Sequence, residues 1–246
     1  MFEKEFRIQQ KPVIICMAFI FASMSHNAFA SSIANWQGYY IGGQIGKASS
    51  RSSWKYENAN YFNTLGSTVV GNDFNLNTNG KYRGGYVGFN YQMDSFILGI
   101  EASALNTDLD ASILSPFFPA SDHYNSQLRW ITTIKARLGY AYNQWLVSLT
   151  GGWARGSVAV TLNDVIANVR ANKTQVANGW TVGPAIDYKF TNNFSVGLEY
   201  DYTKLKMNNQ TISCASCVGS GAGFGVPLVD SVIKIQAVTA RLSYYL

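Results

Sequence analysis

Hydrophobic and polar positions alternate with a period of two over long stretches of this chain. In residues 127–142, extended backbone puts Leu128, Trp130, Thr132, Ile134, Ala136, Leu138, Tyr140 and Tyr142 on one face. Gln127, Arg129, Ile131, Thr133, Lys135, Arg137, Gly139 and Ala141 fall on the other. Asn143-Gln144 predicts a tight turn, and residues 145–154 repeat the pattern, with Trp145, Val147, Leu149, Gly151 and Trp153 on the apolar face. Both stretches exceed the usual five or six residues of a soluble strand and reach the roughly 9–11 tilted residues that cross a bilayer. The apolar face ends in aromatic residues. The pattern predicts a transmembrane β-hairpin.

The same alternation recurs along the chain. Residues 36–48 place Tyr39, Ile41, Gly43 and Ile45 outward and Gly38, Tyr40, Gly42, Gln44 and Gly46 inward. Glycine this dense weakens an ordinary strand but makes room inside a small barrel. Residues 80–91 and 96–104 give the second and third strands, and the hairpin supplies the fourth and fifth. Residues 180–190 give the sixth, where Pro184 predicts a bulge because it cannot donate to the ladder. Residues 194–202 give the seventh, and the eighth ends the chain. Short connections at 92–95, 143–144 and 191–193 alternate with long ones at 49–79, 106–126, 157–175 and 207–230. The expected fold is all-β: an eight-stranded antiparallel transmembrane β-barrel with short periplasmic turns, four long outer loops and both termini in the periplasm. No further domain is expected after the last strand.

Composition agrees. Charged residues are 13% of the chain and aromatics 14%, against about 25% charged in soluble domains. Residues 1–30 have a basic start, an apolar core and Ala28-Phe29-Ala30, which fits a secretory signal cleaved to leave a barrel domain at 31–246. Cys16 follows the bulky Ile15, so lipidation is set aside. The net charge of +5 is spread without a Lys/Arg run, so no nucleic-acid partner is expected. The cations suit acidic lipid heads, and the expected surroundings are the lipid and lipopolysaccharide of a Gram-negative outer membrane.

The inward charges on this reading are Glu101, Arg129, Lys135, Arg137, Asp187, Lys189, Glu199, Asp201 and Arg241. They could line an ion path, as in a small-solute porin. Eight strands leave an interior just wide enough for side chains, so a plug of paired charges is the favoured expectation. The mature chain has one histidine, His123, in the second long loop, and no G-x-S-x-G, H-E-x-x-H or phosphate loop. Acid catalysis by Glu199 and Asp201 is the remaining enzymatic option, with both side chains pointing into a packed lumen. No enzyme, cofactor or metal site is expected. Cys214 and Cys217 could form a redox pair, half a metal site or a disulfide; export favours the disulfide.

Several segments resemble the small outer-membrane β-barrel family of alphaproteobacteria, which includes immunogenic surface proteins and haem-binding members. They are W-Q-G-Y-Y-I-G-G at 36–43, F-I-L-G-I-E-A at 96–102, R-L-G-Y-A-Y at 137–142, W-L-V-S-L-T-G-G-W-A at 145–154, G-W-T-V-G-P-A-I-D-Y-K-F at 179–190 and F-S-V-G-L-E-Y at 194–200. The final residue is Leu246 where the family usually carries Phe, at the end of the strand that addresses the barrel-assembly machinery. The resemblance implies a structural and surface-presenting role, with host contact or haem capture through the outer loops. For haem it implies an axial ligand, for which His123 is the candidate, beside Tyr124 and after Phe117-Phe118.

Overall fold

A computed structural model describes residues 33–56, 73–114, 122–164, 169–211 and 228–246. They form eight strands: β1 (Gly38–Tyr56), β2 (Asp73–Met93), β3 (Phe96–Leu114), β4 (Asp122–Tyr142), β5 (Trp145–Asp164), β6 (Val169–Lys189), β7 (Phe194–Thr211) and β8 (Leu228–Tyr245). Each pairs antiparallel with its neighbour, and β8 pairs with β1, so the sheet closes into the expected barrel. Closure leaves no open edge, which is what lets a sheet sit in hydrocarbon.

The strands are far longer than predicted. β1 and β2 stay paired from Gly38↔Asn90 to Lys55↔Asp73, so much of the span read as a loop at 49–79 is sheet. The same holds for 106–126, 157–175 and 207–230, where β3 runs to Leu114 and β8 begins at Leu228. The Ser, Asn, Thr and Gly content that suggests loop is that of strands whose outward positions, such as Ser49, Asn77 and Asn79, meet water instead of lipid. His123 is likewise in β4, paired with Leu114 and Asn163, and not in a loop. The segment at 1–30, Phe117, Phe118, Cys214 and Cys217 lie outside the described residues.

Two of the short turns use a residue that tolerates the left-handed region: Asp94 at φ 52° and Asn143 at φ 54°. In the turn after β6, the Thr191 hydroxyl accepts from the backbone N–H of Asn193 (3.3 Å) and Phe194 (2.9 Å). Pro184 makes no bulge. Val182 faces Tyr202 and Ala185 faces Glu199 in one unchanged register; the ladder to β7 skips the positions between. Bulges occur elsewhere, and the one in β4 between Leu128 and Trp130 matters most. An extra residue reverses the inside–outside sense beyond it. Leu128 is therefore buried and Arg129 exposed, the opposite of the predicted faces.

Outside, a lipid-facing belt of Ile, Leu, Val and aromatic residues is bounded by two girdles. The periplasmic one includes Tyr39 against Phe89 (4.8 Å between ring centroids), Phe96 against Tyr140 (5.5 Å) and Trp145 against Tyr188 (4.7 Å). The outer one includes Trp153 and Trp180, the latter 5.5 Å from Tyr202. From Phe190 to Trp180 the strand runs about 33 Å, which is about 25 Å of height at the usual strand tilt. That matches the apolar band of an outer-membrane barrel.

Candidate functional site

The lumen is filled in three tiers. The middle one is charged. Glu101 on β3 receives Arg241 Nη2 at 2.5 Å and Arg137 Nη2 at 2.8 Å on the same oxygen, with Lys135 Nζ 3.7 Å from the other. The Tyr40 hydroxyl donates to it at 3.0 Å. Glu199 on β7 receives Arg241 Nη1 at 2.5 Å and Lys135 Nζ at 2.7 Å, and the Thr150 hydroxyl at 3.2 Å. Lys135 also reaches Asp201 (3.4 Å), and Arg137 reaches Asp187 (3.5 Å). All seven side chains are buried. Charges without water are tolerated only when paired and hydrogen-bonded. The fork of Arg241 meets that need by bridging two glutamates at once.

Aromatic rings wall this tier. The Arg241 guanidinium lies 4.2 Å from the Tyr86 ring centroid, and Arg137 lies 5.5 Å from that of Tyr40. The rings fit because glycine faces each across the β1–β2 ladder: Tyr40 pairs with Gly88 and Tyr86 with Gly42. A Cβ at either glycine would collide with the tyrosine ring. Gly42 is the glycine of residues 36–48 that makes this room for a ring.

The floor is aromatic and comes partly from outside the strands. Residues 33–37 cross the periplasmic mouth. They are held by Ala34 N–H to the Asn143 carbonyl (2.8 Å) and Trp36 N–H to Gln92 Oε1 (2.7 Å). This puts the fully buried Trp36 ring edge-on to Tyr245, 5.7 Å between centroids. Lys189 sits here, apart from the carboxylates. Its ammonium donates to the Asn35 carbonyl and lies 4.0 Å from the Tyr245 centroid and 5.3 Å from that of Trp36. The roof, on the outer side, is apolar: Leu105, Leu109, Leu128, Ile131, Leu205, Ile233 and Ile235 pack into one buried cluster.

Of the nine inward charges expected from sequence, seven meet in the middle tier, Lys189 lies in the floor, and Arg129 is outside because of the β4 bulge. Without Arg129, the buried charges among the described residues are four cations and four anions. His123 is exposed on β4. Among the described residues no group of three or more His, Cys, Asp and Glu side chains is placed to hold a metal ion. The floor and roof were missed by sequence reasoning. Trp36 carried a signal, since it shares the parity of inward Gly38 and Tyr40. So did residues 105–112, L-N-T-D-L-D-A-S, which alternate without a break.

Residues 14–226 match the family model of the outer membrane protein beta-barrel domain. The chain is 28% identical over 179 residues to the 31 kDa outer-membrane immunogenic protein of Brucella melitensis biotype 1, covering 71% of this chain and 73% of that protein. It is 24% identical over 184 residues to the 22 kDa outer membrane protein of Rhizobium leguminosarum bv. viciae, covering 74% and 70%. Among solved structures, the outer membrane protein OprG from Pseudomonas aeruginosa aligns with a TM-score of 0.44 at 13% identity, over 85% of this chain and 97% of that one.

Proposed function

The chain belongs to the outer-membrane protein β-barrel family, in its small alphaproteobacterial branch, and from that premise we propose a structural and surface-presenting role with a lumen closed to solutes. The protein resides in the outer membrane. The observation that carries the closed lumen is the middle tier, seven buried charges locked together between an aromatic floor and an apolar roof. An ion entering it would have to displace partners that each neutralise a buried charge. The relatives' description as immunogenic supports presentation of the outer loops at the cell surface. Contact with a host surface through those loops, and recognition of β8 by the assembly machinery, complete the proposal.

The proposal is non-enzymatic. The two carboxylates suited to acid–base chemistry, Glu199 and Asp201, are engaged by Lys135, and Glu199 by Arg241 as well. Conductance tests the reading. Protein purified from outer membranes and inserted into a planar bilayer should pass at most small, rare currents. Steady, large conductance would replace this proposal with the small-solute porin.

A further inference from the structure

Cations on the outer surface are placed as unevenly as those in the lumen are balanced. Ten cations with described side chains face outward on the barrel wall. Eight of them, Lys47, Arg51, Lys55, Lys81, Arg83, Lys204, Lys206 and Lys234, lie on β7, β8, β1 and β2; Arg129 and Arg155 lie on β4 and β5, and β6 also carries Arg170 and Lys173. Five of these eight form like-charge rungs. Lys47 is directly opposite Lys81. Lys204 is directly opposite Lys234, and Lys234 directly opposite Arg51. Like charges facing each other across a ladder destabilise the sheet. Among the described residues no carboxylate is within ion-pairing distance of Lys47, Lys81, Lys204 or Lys234. The acids in the neighbouring rows, Glu199 and Asp201, face the lumen, and the nearest outward row with an acid on these strands is Lys55 opposite Asp230.

Between the two rungs runs an uncharged row, Tyr202, Gln236, Ser49 and Asn79. An open groove of about 670 Å³ lies along it, lined by Lys47, Lys81, Ser49, Gln236, Tyr200 and Val238 among others. Its lower wall is the top of the lipid belt, since Tyr200 pairs with Val238 and Val238 with Lys47. The groove thus has an apolar side toward the membrane, Lys47 and Lys81 in its wall and hydrogen-bonding side chains at its centre, and the Lys204–Lys234–Arg51 rung lies two residues beyond that central row. The rungs are four residues apart, about 13 Å along the strands.

We propose that this groove binds a phosphorylated glycolipid of the outer leaflet, of the lipopolysaccharide class. Its acyl chains pack on Tyr200, Val238 and Ile45. One phosphate sits at Lys47 and Lys81, the sugars lie along Ser49, Gln236 and Asn79, and a second phosphate meets Lys204, Lys234 and Arg51. Anionic headgroup oxygens form charge-assisted bonds with the ammonium groups and remove the repulsion along each rung. The site is on the outer wall, so it stands or falls separately from the closed lumen.

Protein purified in zwitterionic detergent and titrated with purified lipopolysaccharide tests this, with binding and melting temperature both read. Wild type should bind and melt higher when loaded. K47Q/K81Q should bind about tenfold more weakly, and without lipopolysaccharide should melt no lower than wild type, because the rung repulsion is gone. K204Q/K234Q, an independent second variant, should also bind more weakly. R129Q/R155Q, on the opposite flank, should bind as wild type does. Lipopolysaccharide stripped of its phosphates should bind wild type as weakly as the intact lipid binds K47Q/K81Q. Unchanged binding by both lysine variants, or equal binding of the phosphate-free lipid, overturns the proposal. Displacement by an equal concentration of a soluble sulfated polysaccharide would also overturn it, and would assign the groove to a polysaccharide partner.

Discussion

One strand passes through two opposite environments in this barrel. On β8, the membrane half has Arg241 and Thr239 inside with Leu242 and Val238 outside; the outer half has Ile235 and Ile233 inside with Lys234 and Gln236 outside. The alternation never changes, yet the apolar face moves from the outside to the inside. On β1 the change falls between lipid-facing Ile45 and exposed Lys47. The backbone geometry is common to both halves, so the medium decides the polarity. Lipid accepts the apolar face outward and leaves the polar face to satisfy itself by pairing. Water drives the apolar face inward, as in a soluble β-barrel. The crossover therefore marks the outer edge of the membrane.

If the halves are held by different forces, different substitutions should break them. The largest effect is expected in the charged tier. Arg241→Ala leaves Glu101 and Glu199 each short of a buried partner, and should cost about 3–5 kcal/mol in reversible urea unfolding from vesicles. Arg155→Ala, exposed in the outer half, should stay within about 0.5 kcal/mol. Equal losses at the two arginines would mean that the tier is not a paired network.

In the roof, Leu205→Ala should cost about 2–5 kcal/mol by opening a cavity among packed apolar side chains. It should do so as strongly in detergent as in vesicles, because its surroundings are protein. Leu198→Arg, mid-belt on the lipid face, should cost about 2–4 kcal/mol in vesicles. Arginine at Ser49, outward in the outer half, should cost little. Similar costs at Leu198 and Ser49 would erase the boundary between the halves. The smallest effect is expected at His123, which is exposed on β4. His123→Ala should leave the unfolding midpoint unchanged, and the Soret band of added hemin should respond identically to both proteins. Loss of that response in the variant would make His123 a haem ligand.

The faces of the membrane half were legible because each residue there has one neighbour type per side. Tyr39, Ile41, Leu198 and Leu242 declare lipid, and Glu101, Lys135 and Arg137 declare the lumen. Arg129 was misread because a bulge is a local register event: nothing in L-R-W-I announces an extra residue, and one residue reverses the faces. The outer half was misread as loop for a different reason. Polar side chains on an outward face look like loop composition unless the medium outside is known.

The alternation by itself determined that the chain forms long antiparallel strands, how many there are, and which residues of the membrane half face lipid, because period-two patterning has one stable solution when one face meets hydrocarbon. It also determined that charges would be buried together, since the inward parity left them nowhere else to go. Tertiary closure decided the rest. It chose which carboxylate each cation meets, sent Lys189 to the carbonyl and rings of the floor, and laid Trp36 across the mouth. It also set Lys47 against Lys81 and Lys204 against Lys234. These contacts join residues as far apart in sequence as Trp36 and Tyr245, and no local pattern encodes them. They follow from the shared register that eight paired strands must satisfy when the sheet closes on itself.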